Sequence, residues 1–342
     1  MSKERADFSV EPAPMAGISD FAFRQVLADF GAEKTWTEMI SVSAICHNNA
    51  KTLGMLKCHI QTRGGTGSGE GSGSRARRGE VLRPMRTVVQ LFGHEPQLFA
   101  RAIGSGLLDD FHEININMGC PARKVLKNGD GVNLMRNAEL AGEIVRACGR
   151  ASAERAKVRN KNREFLGRTI LPQPISVKMR LGADKNIAVD FARNLEAAGA
   201  SRLIVHGRLG SQGYSGSTDY DAIREVVRAV KIPVIANGDI KSLAQAEEVV
   251  SRTGAEGVMI GRALVGSPWK ISSDEKPNIQ DIVGCITKHI QYFVADRGEK
   301  NFNELKQHLI GYAVALGFSK QQKLAVAIAK SMGEVRALFG LS

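Results

Sequence analysis

Two textures of hydrophobic spacing alternate along this chain. Short apolar or β-branched runs occur at Phe8–Met15, Lys34–Ile40, Thr87–Phe92, Phe111–Asn117, Ile175–Arg180, Arg202–His206, Pro233–Asn237 and Gly257–Ile260. Their length and continuity predict eight strands. Between them, apolar residues spaced three and four apart predict helices at 20–30, 42–55, 95–106, 138–149, 187–198, 219–230 and 242–253. Strict alternation of eight strands with helices predicts an α/β protein, a parallel (β/α)8 TIM barrel over roughly residues 8–270. A doubly wound open sheet shares the alternation, because periodicity does not show closure. After Trp269 the strand signals stop. Pro277 opens a stretch with helical spacing at 279–296, 302–316 and 320–338, read as a small C-terminal all-helical domain packed as a bundle. The expected division is 1–270 for the barrel and 271–342 for the helical domain.

Two segments break the rhythm. Gly64–Ser74 is a Gly/Ser run of low complexity, followed by Arg75, Arg77 and Arg78; it reads as a flexible linker and resembles a laboratory one. Ala151–Gly167 is rich in Arg, Lys and Asn. These stretches mark two basic insertions, near 57–86 and 150–168. The net charge of +12 gathers around them: residues 57–88 hold seven Lys/Arg against two Glu, and residues 146–168 hold eight against two. Such an excess favours a polyanionic partner, although solubility alone also explains it. Both segments connect a helix to the next strand, which in a barrel places them on the face opposite the chemistry. No apolar run is long enough to span a bilayer and the first residues are polar, so a cytoplasmic protein with no membrane partner is expected. None of the five cysteines forms a CxxC pair, which argues against a zinc knuckle or a disulfide scaffold, and no metal is expected.

Chemistry is concentrated at the ends of the predicted strands. Strand four runs into Asn117-Met-Gly-Cys120-Pro, where Gly119 and Pro121 frame a thiol in a sharp turn. The other strand ends carry Ala13-Pro14-Met15-Ala16-Gly17, Thr37-Glu38-Met39, Gln90, Lys178 and Arg180, His206-Gly-Arg208, Asn237-Gly238-Asp239 and Gly261-Arg262. Each has a bland reading: His206 as a core histidine, Asn237–Asp239 as a turn, Lys178 and Arg180 as a solvated strand end, Cys120 as an inert thiol. All of them on one rim is what a catalytic barrel requires. Gly238 and Gly261 after strands seven and eight, with Arg262, suit a phosphate. Lys178 and Gln90 suit the polar edge of a flavin ring. No GxGxxG stands in a strand–turn–helix context, so a Rossmann-type dinucleotide site is not expected.

The motifs Ala13–Asp20, Val89–Gly93, Ile116–Pro121, Val177–Arg180, Leu203–Arg208, Pro233–Ile240 and Met259–Arg262 occur in the order found in one family. Over about residues 10–340 the chain resembles a tRNA-dihydrouridine synthase of the bacterial type. The resemblance implies reduction of uridine in tRNA to dihydrouridine by bound FMN, with NADPH reducing the flavin. It implies Pro14, Met15 and Ala16 along the FMN ring, and Gln90 and Lys178 at its polar edge. His206, Asn237, Gly238, Asp239, Gly261 and Arg262 would hold the ribityl chain and phosphate. Cys120 would be the proton donor, Asn117 a uracil contact and Arg180 a substrate or cofactor contact. The helical domain would bind tRNA, with the protein acting as a monomer. Alternatives are a flavin-dependent reductase of a small pyrimidine or enone, and an inactive RNA-binding barrel. The chain departs from the family at Asn115, where an acid is usual, and at Leu305-Lys-Gln-His308, which replaces an Arg-Lys-His run.

Overall fold

A computed structural model describes residues 8–58, 86–161 and 169–341. The Gly/Ser run at 64–74 and most of the basic residues around it lie outside the described residues, as does the end of the second insertion. Eight parallel strands form one sheet: β1 (Ser9–Pro12), β2 (Lys34–Ser41), β3 (Arg86–Phe92), β4 (Glu113–Met118), β5 (Ile175–Gly182), β6 (Arg202–Leu209), β7 (Val234–Asn237) and β8 (Gly257–Ile260). Their order, β1-β8-β7-β6-β5-β4-β3-β2, is that of a barrel, and the open sheet is set aside. At the β1/β2 seam the side chain of Glu11 joins the strands, accepting from Lys34 Nζ at 3.1 Å and Trp36 Nε1 at 3.0 Å.

Helices alternate with the strands: α1 (Phe21–Asp29), α2 (Val42–Cys46), α3 (Ala50–Leu53), α4 (Pro96–Gly104), α5 (Arg123–Leu126), α6 (Ala138–Lys161), α7 (Ala188–Ala197), α8 (Tyr220–Ala229) and α9 (Leu243–Thr253). The strands are buried on both faces for two different reasons. Outward residues such as Ile114, Ile116 and Met118 join the large apolar cluster beneath the helices. Inward residues fill the bore, where Ala13, Trp36, Val88, Ile204, Ile235 and Met259 form a separate cluster. The bore also holds Glu11, Glu113 and Arg202, joined by Arg202 Nη1 to Glu11 at 2.6 Å and Nε to Glu113 at 2.9 Å. Their mutual pairing makes the burial of charge tolerable.

Three expected helices differ from those found. The helix expected over 42–55 is two short ones, because Asn48 adopts a left-handed conformation (φ 53°) and Asn49 caps the second through Thr52 N at 3.0 Å. The helix expected at 138–149 runs on to Lys161, so the first part of the second basic insertion is helical. Arg155 on that extension clamps Asp109 at 2.9 and 2.7 Å. The last expected helix divides into α12 (Lys320–Ile328) and α13 (Met332–Phe339), with Ser331 capping the second. With α10 (Ile279–Arg297) and α11 (Lys306–Ala315) these form the C-terminal helical unit, whose apolar cluster takes in Trp269 and, from α1, Ala22 and Val26. No described helix is long and apolar enough to cross a membrane.

Candidate active site

The C-terminal ends of the strands open into a cleft of about 1200 Å³. It gathers Pro14, Met15, Ala16, Asn117, Cys120, Lys178, Arg180, His206, Asn237, Gly238, Asp239, Gly261 and Arg262, thirteen loop and strand-end groups expected from the sequence, around one cavity. Inward pointing at every second residue explains the pairs Asn115/Asn117 and Lys178/Arg180. Met39 also reaches the cleft. An extra residue in β2 between Trp36 and Met39, against Val88 and Gln90 of β3, turns both side chains to the same side.

Cys120 stands on a tightly held turn. Asn117 Oδ1 accepts from the backbone N–H of Gly119 at 3.2 Å and of Cys120 at 3.0 Å, and Val132 N–H donates to the Cys120 carbonyl at 3.1 Å. Arg180 braces the same turn from β5, donating through Nε to Gly119 O at 2.9 Å and through Nη1 to the carbonyls of Leu209 and Gly213 at 2.7 and 2.8 Å. Burial pushes the thiol pKa up, against the opposing pull of the Ala122 N–H and of the Arg180 and Lys178 charges. The sulfur is therefore a protonated thiol at neutral pH.

Across the cleft, Lys178 Nζ donates to Asn237 Oδ1 at 2.8 Å, and Asn237 Nδ2 donates in turn to Met259 O at 2.8 Å. Burial, with Arg180 beside it, brings the Lys178 pKa down to about 7. His206 falls to about 2 through burial and the charges of Lys178, Arg180, Arg208 and Arg262, so its imidazole is neutral. Arg208, almost fully buried, forks onto Asp239 and donates to the carbonyls of Ser215 and Gly216. Burial would raise the Asp239 carboxyl, yet hydrogen bonds from Arg208 and Thr218 and the charges of Arg208 and Arg262 hold it below its usual range. Arg262 reaches Asp239 Oδ1 at 3.3 Å. At Gly238 (φ 128°) a Cβ would stand 2.6 Å from Thr218 Oγ1, so only glycine fits. At Gly261 a Cβ would make ordinary contacts, 3.5 Å from Ala13 Cβ and 3.6 Å from Met15 Sδ.

Two expected contacts sit differently. Gln90 is fully buried below the cleft rather than on its wall; its Nε2 donates to Asn115 Oδ1 at 2.8 Å and its Oε1 accepts from Asn117 Nδ2 at 2.9 Å. Asn117 borders the cleft, but its amide already serves Gln90, Met39 Sδ at 3.1 Å, and the Cys120 turn. The sequence reading missed Tyr214. This ring is 65% exposed on the cleft lip, with the guanidinium carbons of Arg262 and Arg180 at 5.0 and 5.8 Å from its centroid.

Comparison with known proteins agrees with this architecture. The family model described as dihydrouridine synthase matches residues 11–337. A Rickettsia prowazekii protein named "Probable tRNA-dihydrouridine synthase" is 33% identical over 331 residues, covering 93% of this chain and 89% of the relative. A Rhizobium leguminosarum protein of the same name is 31% identical, covering 95% and 92%. The "tRNA-dihydrouridine synthase B" of Vibrio cholerae is 31% identical, covering 89% and 78%.

Proposed function

The chain belongs to the dihydrouridine synthase family, and from that membership we propose that it reduces uridine in tRNA to 5,6-dihydrouridine with FMN in the cleft, NADPH as reductant and Cys120 as proton donor. Family membership makes it an oxidoreductase acting on uridine in tRNA. The finer assignment rests on the donor set of the cleft.

The residues present fit FMN. Pro14, Met15 and Ala16 offer an apolar wall to a flat ring, and Lys178 a donor at its polar edge. Neutral His206, Asn237, the backbone of Gly238 and Gly261 on the cleft lining, and the Arg262 guanidinium suit a ribityl phosphate. Asp239 serves that end by orienting Arg208 and Arg262 rather than by meeting an anion itself. Bound FMN would supply a hydride to one carbon of the uracil double bond. The neighbouring carbon then needs a proton, and the chain must place an acid beside it.

Cys120 is that acid, and its place on the cleft lining, on a turn held by Asn117 and Arg180, is the observation that carries the reading. A thiol held protonated at neutral pH has a proton to give, whereas a nucleophilic cysteine needs its pKa lowered. The target base must leave its stack to enter the cleft, and residues 271–342 are assigned to gripping the rest of the tRNA. Protein purified without added cofactor is expected to show a flavin absorption spectrum, and Cys120→Ala to keep that spectrum while dihydrouridine formation falls by about 10²-fold or more. Full activity in the Cys120→Ala protein would remove the proton-donor role. Equal turnover of free uridine and tRNA would move the substrate to a small pyrimidine.

A further inference from the structure

Beneath Cys120 runs a line of buried side chains whose hydrogen bonds all point one way. At its lower end, Glu113 Oε1 accepts from Arg202 Nε at 2.9 Å and from the Ser176 hydroxyl. The Ser176 oxygen accepts from Asn115 Nδ2 at 2.8 Å. Asn115 Oδ1 accepts from Gln90 Nε2 at 2.8 Å, and Gln90 Oε1 from Asn117 Nδ2 at 2.9 Å. Asn117 Oδ1 ends the line on the backbone N–H groups of Gly119 and Cys120.

The direction is dictated from both ends. An ionised carboxylate only accepts, and a backbone N–H only donates. Five links between those ends leave each amide a single orientation. Gln90, Asn115 and Ser176 are fully buried, so water does not offer a substitute partner. Reversing any one amide would set oxygen against oxygen at one end and N–H against N–H at the other.

We propose that Glu113, Ser176 and Asn115 are positioning residues that act through Gln90 and Asn117 to hold the turn presenting Cys120; the proposal rests on the proton-donor role assigned to that thiol. It accounts for the amide at 115, where the resembled family usually has an acid. Here the acid stands two residues earlier, one level deeper in the bore, and Asn115 passes its influence upward by donating below and accepting from above. A carboxylate at 115 has no hydrogen to donate to Ser176. It would also put two acids around a single hydroxyl proton.

The test uses the full-length protein as purified, with iodoacetamide as probe and peptide-resolved mass spectrometry to follow Cys120 alone. Ser176→Ala breaks the line without adding bulk. It is expected to speed Cys120 alkylation by about five-fold or more as the turn loosens. It is also expected to lower kcat for dihydrouridine formation by about ten-fold, with KM for tRNA within about two-fold of wild type. Ser176→Thr retains the hydroxyl and should restore both values, and Asn115→Asp should behave as Ser176→Ala does. Alkylation of the Ala variant within about two-fold of wild type would overturn the proposal, as would a Thr variant no better than Ala, since packing alone would then be at work. The expected alkylation series in a protein that makes no dihydrouridine would uphold the relay and sink the functional reading above it.

Discussion

Tyr214 presents an exposed ring at the lip of the cleft. A ring left 65% exposed between two guanidiniums is poised for a flat partner, and every base has a π-face to stack on it. Tyr214→Ala should therefore raise KM for tRNA by about ten-fold with little change in thermal stability, while Tyr214→Phe stays near wild type. A steady-state titration with tRNA decides this; an unchanged KM in the Ala variant would leave the ring without a role. Nothing in the sequence drew attention to Tyr214, because its loop, Gly210–Gly216, has neither periodicity nor motif. The strand-end residues were legible for the opposite reason, since a barrel sends every strand end to one rim. What strand-end logic does not contain is which polar atoms are already spent. Gln90, Asn117 and Arg180 read as ligand contacts in sequence, yet their hydrogen bonds go largely to the protein, and only three-dimensional partners reveal that.

Strands were easier to place than helices, and the physical reason is the punctuation between them. β7 and β8 are short apolar runs, β5 alternates apolar with polar residues and β6 mixes them, and the expected positions of all four agree with those found to within a few residues. Helix ends depend instead on caps and single backbone conformations, such as the left-handed Asn48 and the Ser331 cap. Charge misled as well: α6 continues through Arg150–Lys161 because Ala151, Ala153 and Ala156 favour helix and the segment lacks Gly and Pro after Gly149. One cap carries a measurable cost. Asp20 caps α1 by accepting from Phe23 N–H at 2.8 Å. Burial pushes its carboxyl from 3.8 up to about 6, more than the Phe23 N–H and the nearby Arg297 and Arg24 hold it down, with Glu38 adding repulsion. Between about pH 4 and pH 6 the folded chain thus keeps a proton that the unfolded chain has released. Native stability falls as pH rises through that window, and the loss is complete above it. Asparagine caps as well as aspartate without the charge. Asp20→Asn should flatten this slope and raise Tm at pH 7 by about 2–5 °C. Thermal melts from pH 4 to 8 check it, and a lower Tm for the variant at pH 7 would show that Arg24 and Arg297 need the carboxylate more than α1 is burdened by it.

At the scale of the whole molecule, the helical unit reaches into the catalytic rim at two points on one loop. His308 of α11, fully buried, donates through Nε2 to Ile18 O at 3.1 Å and packs its ring 4.4 Å from Phe23 and 4.7 Å from His289. Arg297 at the end of α10 lies 3.9 Å from Glu38, whose other oxygen accepts from Gly17 N–H. Ile18 and its neighbours Met15 and Ala16 line the cleft, so the wall proposed to face the flavin ring is partly held by the unit proposed to hold tRNA. Burial draws the His308 pKa down to about 4, which keeps the imidazole neutral across the physiological range and makes this grip insensitive to pH there. His308→Leu keeps an apolar side chain against Phe23, gives up the ring contact with His289 and removes the bond to Ile18. Losing one bond to a buried carbonyl should weaken FMN affinity by about five-fold or more, read as the quenching of free FMN fluorescence on titration with cofactor-stripped protein. The loop has its own support as well, since Ser19 Oγ bonds Ala13 O at 3.1 Å and accepts from Met15 N–H at 3.0 Å. If those two bonds suffice, the His308→Leu protein will bind FMN as wild type does, and the helical unit will bear on the reaction only through the RNA it holds.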